Sequence, residues 1–280
     1  MTNDLTKSLY RGFTQLQLDA LYNNQAAWEN GDKGFADMQA QSEIIYKSFP
    51  VQRNIRYGSS PRALFDFFDS GIENAPTYLF IHGGYWSHCN KEDFAFIAEG
   101  ILKSGINVIL AEYDEAPAVT MTHIVREIKQ LLDFLDTNQA NYRIIPGKFV
   151  LSGHSAGGHL TAMCRDHPLV SHAMPISALV DLYPISLTYL NKLVKLTDEE
   201  IEEFSPLRHV KSGVPTSVHN GSKELMELVR QSLIYAEALY AVQDNVLYQQ
   251  VDGCNHFTLL YEFNYPNGVL LRSLQHLLTL

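Results

Sequence analysis

Short apolar runs alternate with amphipathic stretches along most of this chain. Runs at 78–81, 108–111, 149–151, 176–180, 215–218 and 246–251 are apolar and brief, which suits strands buried on both faces. Between them lie helical patterns at 91–103, 123–136, 223–241 and 268–279. The clearest is the second, where Ile124, Val125, Ile128, Leu131, Leu132 and Leu135 recur at helical spacing. Ahead of these, 50–57 and 63–68 read as a hairpin turning at Tyr57-Gly58-Ser59-Ser60-Pro61. Strands that alternate with helices imply a mostly parallel central sheet covered on both faces, an α/β fold.

Two segments fall outside that alternation. Residues 1–45 are polar, but Leu16, Leu18, Leu21, Tyr22 and Trp28 can line one side of short helices. With no low-complexity linker, this segment is expected to pack on the domain. Residues 182–209 are longer than an ordinary strand-to-helix link and carry a helix start at Thr197-Asp198-Glu199-Glu200. In this architecture they lie above the C-terminal ends of the strands, as a lid or pocket wall, or as a plain surface insertion. The length of 280 residues, with 46% hydrophobic and 19% charged residues, suits one domain spanning 1–280 with a sizeable core. The formal charge of −10 argues against a nucleic-acid footprint. The N-terminal residues lack a signal peptide's apolar core and no run approaches a membrane span, so a soluble cytoplasmic protein is expected, with a homodimer left open. Cys89, Cys164 and Cys254 lack the spacing of a disulfide framework or a zinc site.

The chemistry concentrates at Phe149-Val150-Leu151-Ser152-Gly153-His154-Ser155-Ala156-Gly157-Gly158-His159-Leu160, where a strand-like run enters Gly-x-Ser-x-Gly and a helix-like stretch follows. This is the nucleophile-elbow pattern of an α/β-hydrolase. Gly153 and Gly157 allow the sharp turn that pushes the Ser155 hydroxyl out at the strand's end. A serine needs a base, and the base needs a carboxylate to hold its tautomer. The base belongs in the loop after the last strand, which holds His256; His276, the only later histidine, lies among leucines in a terminal helix pattern. Glu224 is the first carboxylate after the preceding strand, with Glu227 and then Asp252 as rivals. Donors for a developing oxyanion are expected from the backbone of Gly83, Gly84, Tyr85 and Ala156. Tyr85 and Trp86 are expected to wall a substrate pocket, with His154 beside them. His154, His159 and Cys164 match no metal-binding pattern, and neither nucleotide-binding glycine motif is present, so neither a metal nor a cofactor is expected.

His82-Gly83-Gly84-Tyr85-Trp86, taken with the elbow, resembles kynurenine formamidase (arylformamidase) of the α/β-hydrolase superfamily and its bacterial esterase relatives. The likeness extends to Leu18-Asp19-Ala20-Leu21-Tyr22-Asn23-Asn24, Val180-Asp181-Leu182-Tyr183-Pro184-Ile185, Leu196 to Glu200, Ser205-Pro206-Leu207 and Asn255-His256-Phe257. Gly221 to Ser232 resembles the family's acid loop, with Glu224 where the family usually carries Asp. The resemblance implies a metal-free serine hydrolase that converts N-formyl-L-kynurenine to L-kynurenine and formate. A general short-chain carboxylesterase is the alternative. A binding protein that kept the fold and lost the chemistry is a third reading, disfavoured because a serine, an acid and a histidine all stand in place.

Overall fold

Along Thr77–Ile81, Leu79 and Ile81 point into one hydrophobic core, and Tyr78 and Phe80 into another. That period-two split is what a strand buried on both faces must show. The computed structural model describes residues 7–280. Its strands are β1 (Val51–Arg56), β2 (Leu64–Phe68), β3 (Thr77–Ile81), β4 (Asn107–Ala111), β5 (Phe149–His154), β6 (His172–Ile176), β7 (Thr216–Gly221) and β8 (Val246–Val251). They form one sheet in the order β1-β2-β4-β3-β5-β6-β7-β8. β1 and β2 are an antiparallel hairpin, β2 pairs antiparallel with β4, and the rest run parallel.

The helices are α1 (Gln15–Ala20), α2 (Gly31–Ser48), α3 (Ala98–Lys103), α4 (Met121–Thr137), α5 (Ala156–Cys164), α6 (Leu182–Ser186), α7 (Asn191–Val194), α8 (Asp198–Phe204), α9 (Met226–Ala241) and α10 (Val269–Leu277). α4, α5 and the pieces α6 to α8 share one core, while α2, α3 and α10 share the other. Among the described residues no helix is long and apolar enough to cross a membrane.

Two expectations about elements need correction. The run 176–180 is not a strand: β6 is His172–Ile176, four residues earlier. Ser177 turns the chain at φ +49, and Leu179 and Val180 are fully buried in a loop. That loop is satisfied by a side chain, because the N–H groups of Val180 and Asp181 both donate to Gln231 Oε1. Burial, rather than strand pairing, accounts for the apolar run. The stretch 91–103 is also not one helix; it begins as a 3₁₀ segment, Lys91–Ile97, and only then becomes α3.

The N-terminal segment is tied down at both ends. Thr14 and Gln17 close a capping box at α1, and Gln15 Nε2 donates to Leu187 O at 2.8 Å. Ser42 on α2 donates to Asp93 O and accepts from Phe96 N. These bonds fix the segment so that residues from Asn23 to Gln39 line the same cavity as Gly83, Gly84 and Tyr85.

Candidate active site

β5 ends where Ser155 takes φ +57 and ψ −115, and α5 starts at the next residue. The two flanking glycines are sterically required. A Cβ at Gly153 would lie 2.3 Å from Gly157 O, and one at Gly157 would lie 1.9 Å from Ile81 O. Ser155 N donates to Ile176 O at 2.9 Å, which pins the turn to β6. The side chain makes no cap bond to α5, so its hydroxyl is left to face the site.

The loop after β8 carries His256. Asn255 Oδ1 accepts from Phe257 N and Thr258 N, an Asx turn that aims the ring. His256 Nδ1 faces Glu224 Oε2 at 2.9 Å. A carboxylate only accepts, so Nδ1 carries the proton and Nε2 of the neutral ring keeps a lone pair. Glu224 Oε1 in turn accepts from Ser177 Oγ and Gly221 N, both at 2.6 Å. Of the three carboxylates considered, Glu224 is the one the fold brings to His256. Glu227 is buried in a paired bond set with Arg230, and Asp252 accepts from Ser222 Oγ at the surface. Ser177 was not foreseen; it sits inside the run misread as a strand, where nothing marked it as polar support.

After β3 the chain runs through His82, Gly83 and Gly84 with φ +104 at Gly84, then φ +46 at Tyr85 and +57 at Trp86. Among the described residues, no backbone carbonyl takes the N–H of Gly83, Gly84, Tyr85 or Ala156. Gly83 lies against the elbow: a Cβ there would stand 3.2 Å from Ser155 Cβ. This strained loop has a buried support. His82 Nε2 meets Glu112 Oε1 at 2.7 Å and His82 Nδ1 meets Gly83 O at 2.8 Å. Both partners are acceptors, so both ring nitrogens donate and the ring is an imidazolium. Burial alone would lower its pKa, but the Glu112 carboxylate overrides that and raises it. Glu112 also holds Arg62 at 2.7 Å and accepts from Lys91 N, while Arg62 donates to Cys89 O. The loop from 82 to 91 is thereby held from within by three alternating charges.

A cavity of about 640 Å³ opens over Ser155, His154 and His256. Its walls come from the loop after β3, from Asn23 to Gln39 of the N-terminal segment, and from Tyr189, Leu190 and Leu193 of the insertion. Trp28 stacks on Phe257 at 4.5 Å between ring centres, covering the neighbour of His256. Tyr85 lines the cavity, with its hydroxyl donating to Tyr22 O and accepting from Asn24 Nδ2. Trp86 does not line it. Its indole is fully buried, and the N–H donates to His159 Nδ1 at 3.2 Å. A buried indole N–H needs an acceptor, and His159 on α5 supplies it. His154 lines the cavity beside His256, with ring centres 4.4 Å apart. Burial, and then the neighbouring ring, push its pKa well below the usual histidine value, so it is neutral.

The BD-FAE family matches residues 69–168, which hold the His82–Trp86 loop and the Gly153–Gly157 turn. Kynurenine formamidase of Danio rerio is 27% identical over 237 residues, covering 79% of this chain and 80% of that protein. The Salmo salar kynurenine formamidase is 28% identical, covering 74% and 75%. A solved structure assigned provisionally as a thioesterase, from Silicibacter sp., superposes with a TM-score of 0.83 at 26% identity over 92% of this chain and 99% of that one. The chain is an α/β-hydrolase. It is similar to kynurenine formamidases and esterases, and these relatives support a hydrolase. The esterase of Pyrobaculum calidifontis, at TM-score 0.72 and 16% identity, shares the fold.

One more cluster in the hydrolase escaped sequence reading. Asp114, His123 and Glu127 bring ligand-type atoms within 4.8 Å of one another, outside the cavity lining. Glu127 is already engaged there, by Ser60 Oγ and Asp114 N. The oxyanion loop invites a direct test. A Cβ at Gly84 would fall 1.8 Å from His88 O, at a φ that side chains rarely adopt. Gly84→Ala must move the loop, and kcat of the hydrolase is expected to fall by roughly 10²-fold or more. A variant that keeps its rate would show that the Gly84 N–H is not where the reaction needs a donor.

Proposed function

We propose that this hydrolase uses a Ser155–His256–Glu224 triad to cleave a formyl or short acyl group from an aromatic amine or alcohol. The single observation that carries this reading is the 2.9 Å Glu224–His256 hydrogen bond, set beside Ser155 in the same cavity. His256 Nε2 takes the Ser155 proton as Oγ attacks the carbonyl carbon. The N–H groups of Gly84 and Ala156, with Gly83 and Tyr85 adjacent, hold the resulting oxyanion. The tetrahedral intermediate collapses, the bond to the leaving nitrogen or oxygen breaks, and His256 gives that atom its proton. A water, deprotonated by His256, then attacks the acyl-Ser155 carbonyl; the bond to Ser155 Oγ breaks, the acid leaves, and His256 returns the proton to Oγ. Overall, substrate and one water become one acid and one amine or alcohol. Glu224 keeps the proton on Nδ1 and steadies the imidazolium formed in each half-reaction.

The likeness to kynurenine formamidases favours N-formyl-L-kynurenine, giving L-kynurenine and formate, and the esterase relatives keep a short aryl ester as the second reading. The deciding measurement is kcat/KM for N-formyl-L-kynurenine beside a short p-nitrophenyl ester. A large preference for the formamide supports arylformamidase activity. Turnover of the ester alone leaves a carboxylesterase. Glu224→Ala should cost on the order of 10³-fold or more in kcat with the fold intact. Glu227→Ala should act mainly on stability, since it frees Arg230 and the Tyr22 hydroxyl. If Glu227→Ala is the more damaging to kcat, the acid is misassigned.

A further inference from the structure

The walls of the cavity carry charge of one sign. Among the residues that line it, Asp32 and Asp93 are carboxylates and none is Lys or Arg. Of its histidines, His154 is kept neutral by burial and by its histidine neighbour. Asp93 is already engaged, accepting from Gln39 Nε2 at 2.7 Å and from Asn90 N at 2.9 Å. Asp32 is different. It is solvent-exposed in the first turn of α2, among the described residues it makes no ion pair, and it shares the wall with Trp28 and Phe35. The rest of the lining is largely aromatic or apolar, including Tyr85, Phe94 and Leu193. The whole chain adds to this field with a formal charge of −10.

We infer that the cavity recognises a cationic nitrogen on the leaving group through Asp32 and discriminates against a leaving group whose only charge is a carboxylate. The inference rests on the hydrolase reading above and names the substrate class for that site. An aromatic ring placed between Trp28, Phe35 and Tyr189 is in an environment where a carboxylate would be partly desolvated with no cation to pair it. An ammonium on a short chain finds Asp32 in the same wall. For an amino-acid leaving group, the ammonium is the charge the protein reads, and the carboxylate points to solvent. Two carboxylates and no cation also repel an anionic substrate before it enters.

The test uses three phenyl acetates with the same scissile bond, carrying para to the ester an ethyl, an ammonioethyl or a carboxyethyl chain. The methylenes insulate the ester from each substituent, so their uncatalysed rates are alike and differences in kcat/KM report recognition. The ammonio ester is expected to match or exceed the ethyl ester, and the carboxy ester to fall at least about tenfold below it. Raising salt should narrow the gap between the two charged esters. Asp32→Lys should narrow or invert their ratio, and Asp32→Asn should lie between. Equal or better turnover of the carboxy ester overturns the inference and leaves the hydrolase reading standing. A ratio unchanged in Asp32→Lys also overturns it, since the discrimination then lies elsewhere. If none of the three esters and no formamide turns over, and a fluorophosphonate fails to label Ser155, the hydrolase reading itself fails and the inference with it.

Discussion

Ser155→Ala is expected to lower kcat on the order of 10⁴-fold or more while the protein stays folded. The reason for the first half is chemical: in the proposed mechanism the Ser155 hydroxyl oxygen forms the acyl bond, and alanine has no atom to replace it. The reason for the second half is structural. The Ser155 side chain caps no helix, and the strained turn is held by its own N–H on Ile176 O and by the glycines on either side. Alanine keeps the Cβ and loses one hydroxyl, so the turn and its bonds persist. Steady-state rates on the better substrate, with thermal unfolding measured alongside, check both halves. Activity near that of the parent in a folded variant would remove Ser155 from the mechanism.

The second large effect is expected at a residue that lies outside the cavity lining. Glu112→Gln should lower both stability and kcat, with KM changed much less. Glu112 is 4% exposed and anchors His82 and Arg62 at 2.7 Å each. Removing its charge leaves the buried His82 imidazolium without its anion and Arg62 with only Glu115 at 3.3 Å, a loss of roughly 3–5 kcal/mol for the buried pair. In a domain of this size that is a fall in Tm of roughly 6–20 °C. The rate falls because the His82–Gly83 turn positions N–H groups that matter most when charge develops on the oxygen, hence kcat more than KM. The pH dependence has a definite sign. Burial pushes Glu112 up, but His82, with Arg62, carries it down to about 2. Its stabilisation is therefore complete above the ordinary carboxylate value and is lost as pH falls from there through about 2. His82 is shifted upward, so its contribution is complete below the ordinary imidazole value and is lost as pH rises through the raised one. The parent should be steadiest between these windows, and Glu112→Gln should flatten the acid side of the curve. A variant with unchanged Tm and rate would mean that the loop does not lean on this charge chain.

The fold could be read from the chain because its strands obey local rules. β3, β4, β5 and β8 fall where the apolar runs are, and the hairpin of β1 and β2 follows from its turn. β6 was missed for a physical reason. Leu179 and Val180 are as apolar as any strand residue, yet they are buried in a loop whose Val180 and Asp181 N–H groups are taken by Gln231, far away in the chain. Periodicity registers burial, and burial is not always a ladder. The places of the elbow, His256 and Glu224, each just after a strand end, were legible. Their mutual distances were not, nor was the support from Ser177. Trp86 was misread for a similar reason: Tyr85 lines the cavity, but the next residue's indole is fully buried against His159.

What this sequence determined alone is the alternation of most strands and helices and the Gly-x-Ser-x-Gly turn with a histidine and an acid at later strand ends. Hydrophobic spacing decides strand or helix, and glycine at a fixed offset decides where a backbone can turn. What only the tertiary structure decided is which carboxylate reaches His256, which ring faces the cavity, and how the loop after β3 is held by charges from beneath. Those outcomes depend on contacts between residues far apart in the chain: Ser177 with Glu224, His82 with Glu112, Asn24 with Tyr85. No local propensity encodes such pairs, because they exist only once the sheet has brought its strand ends together.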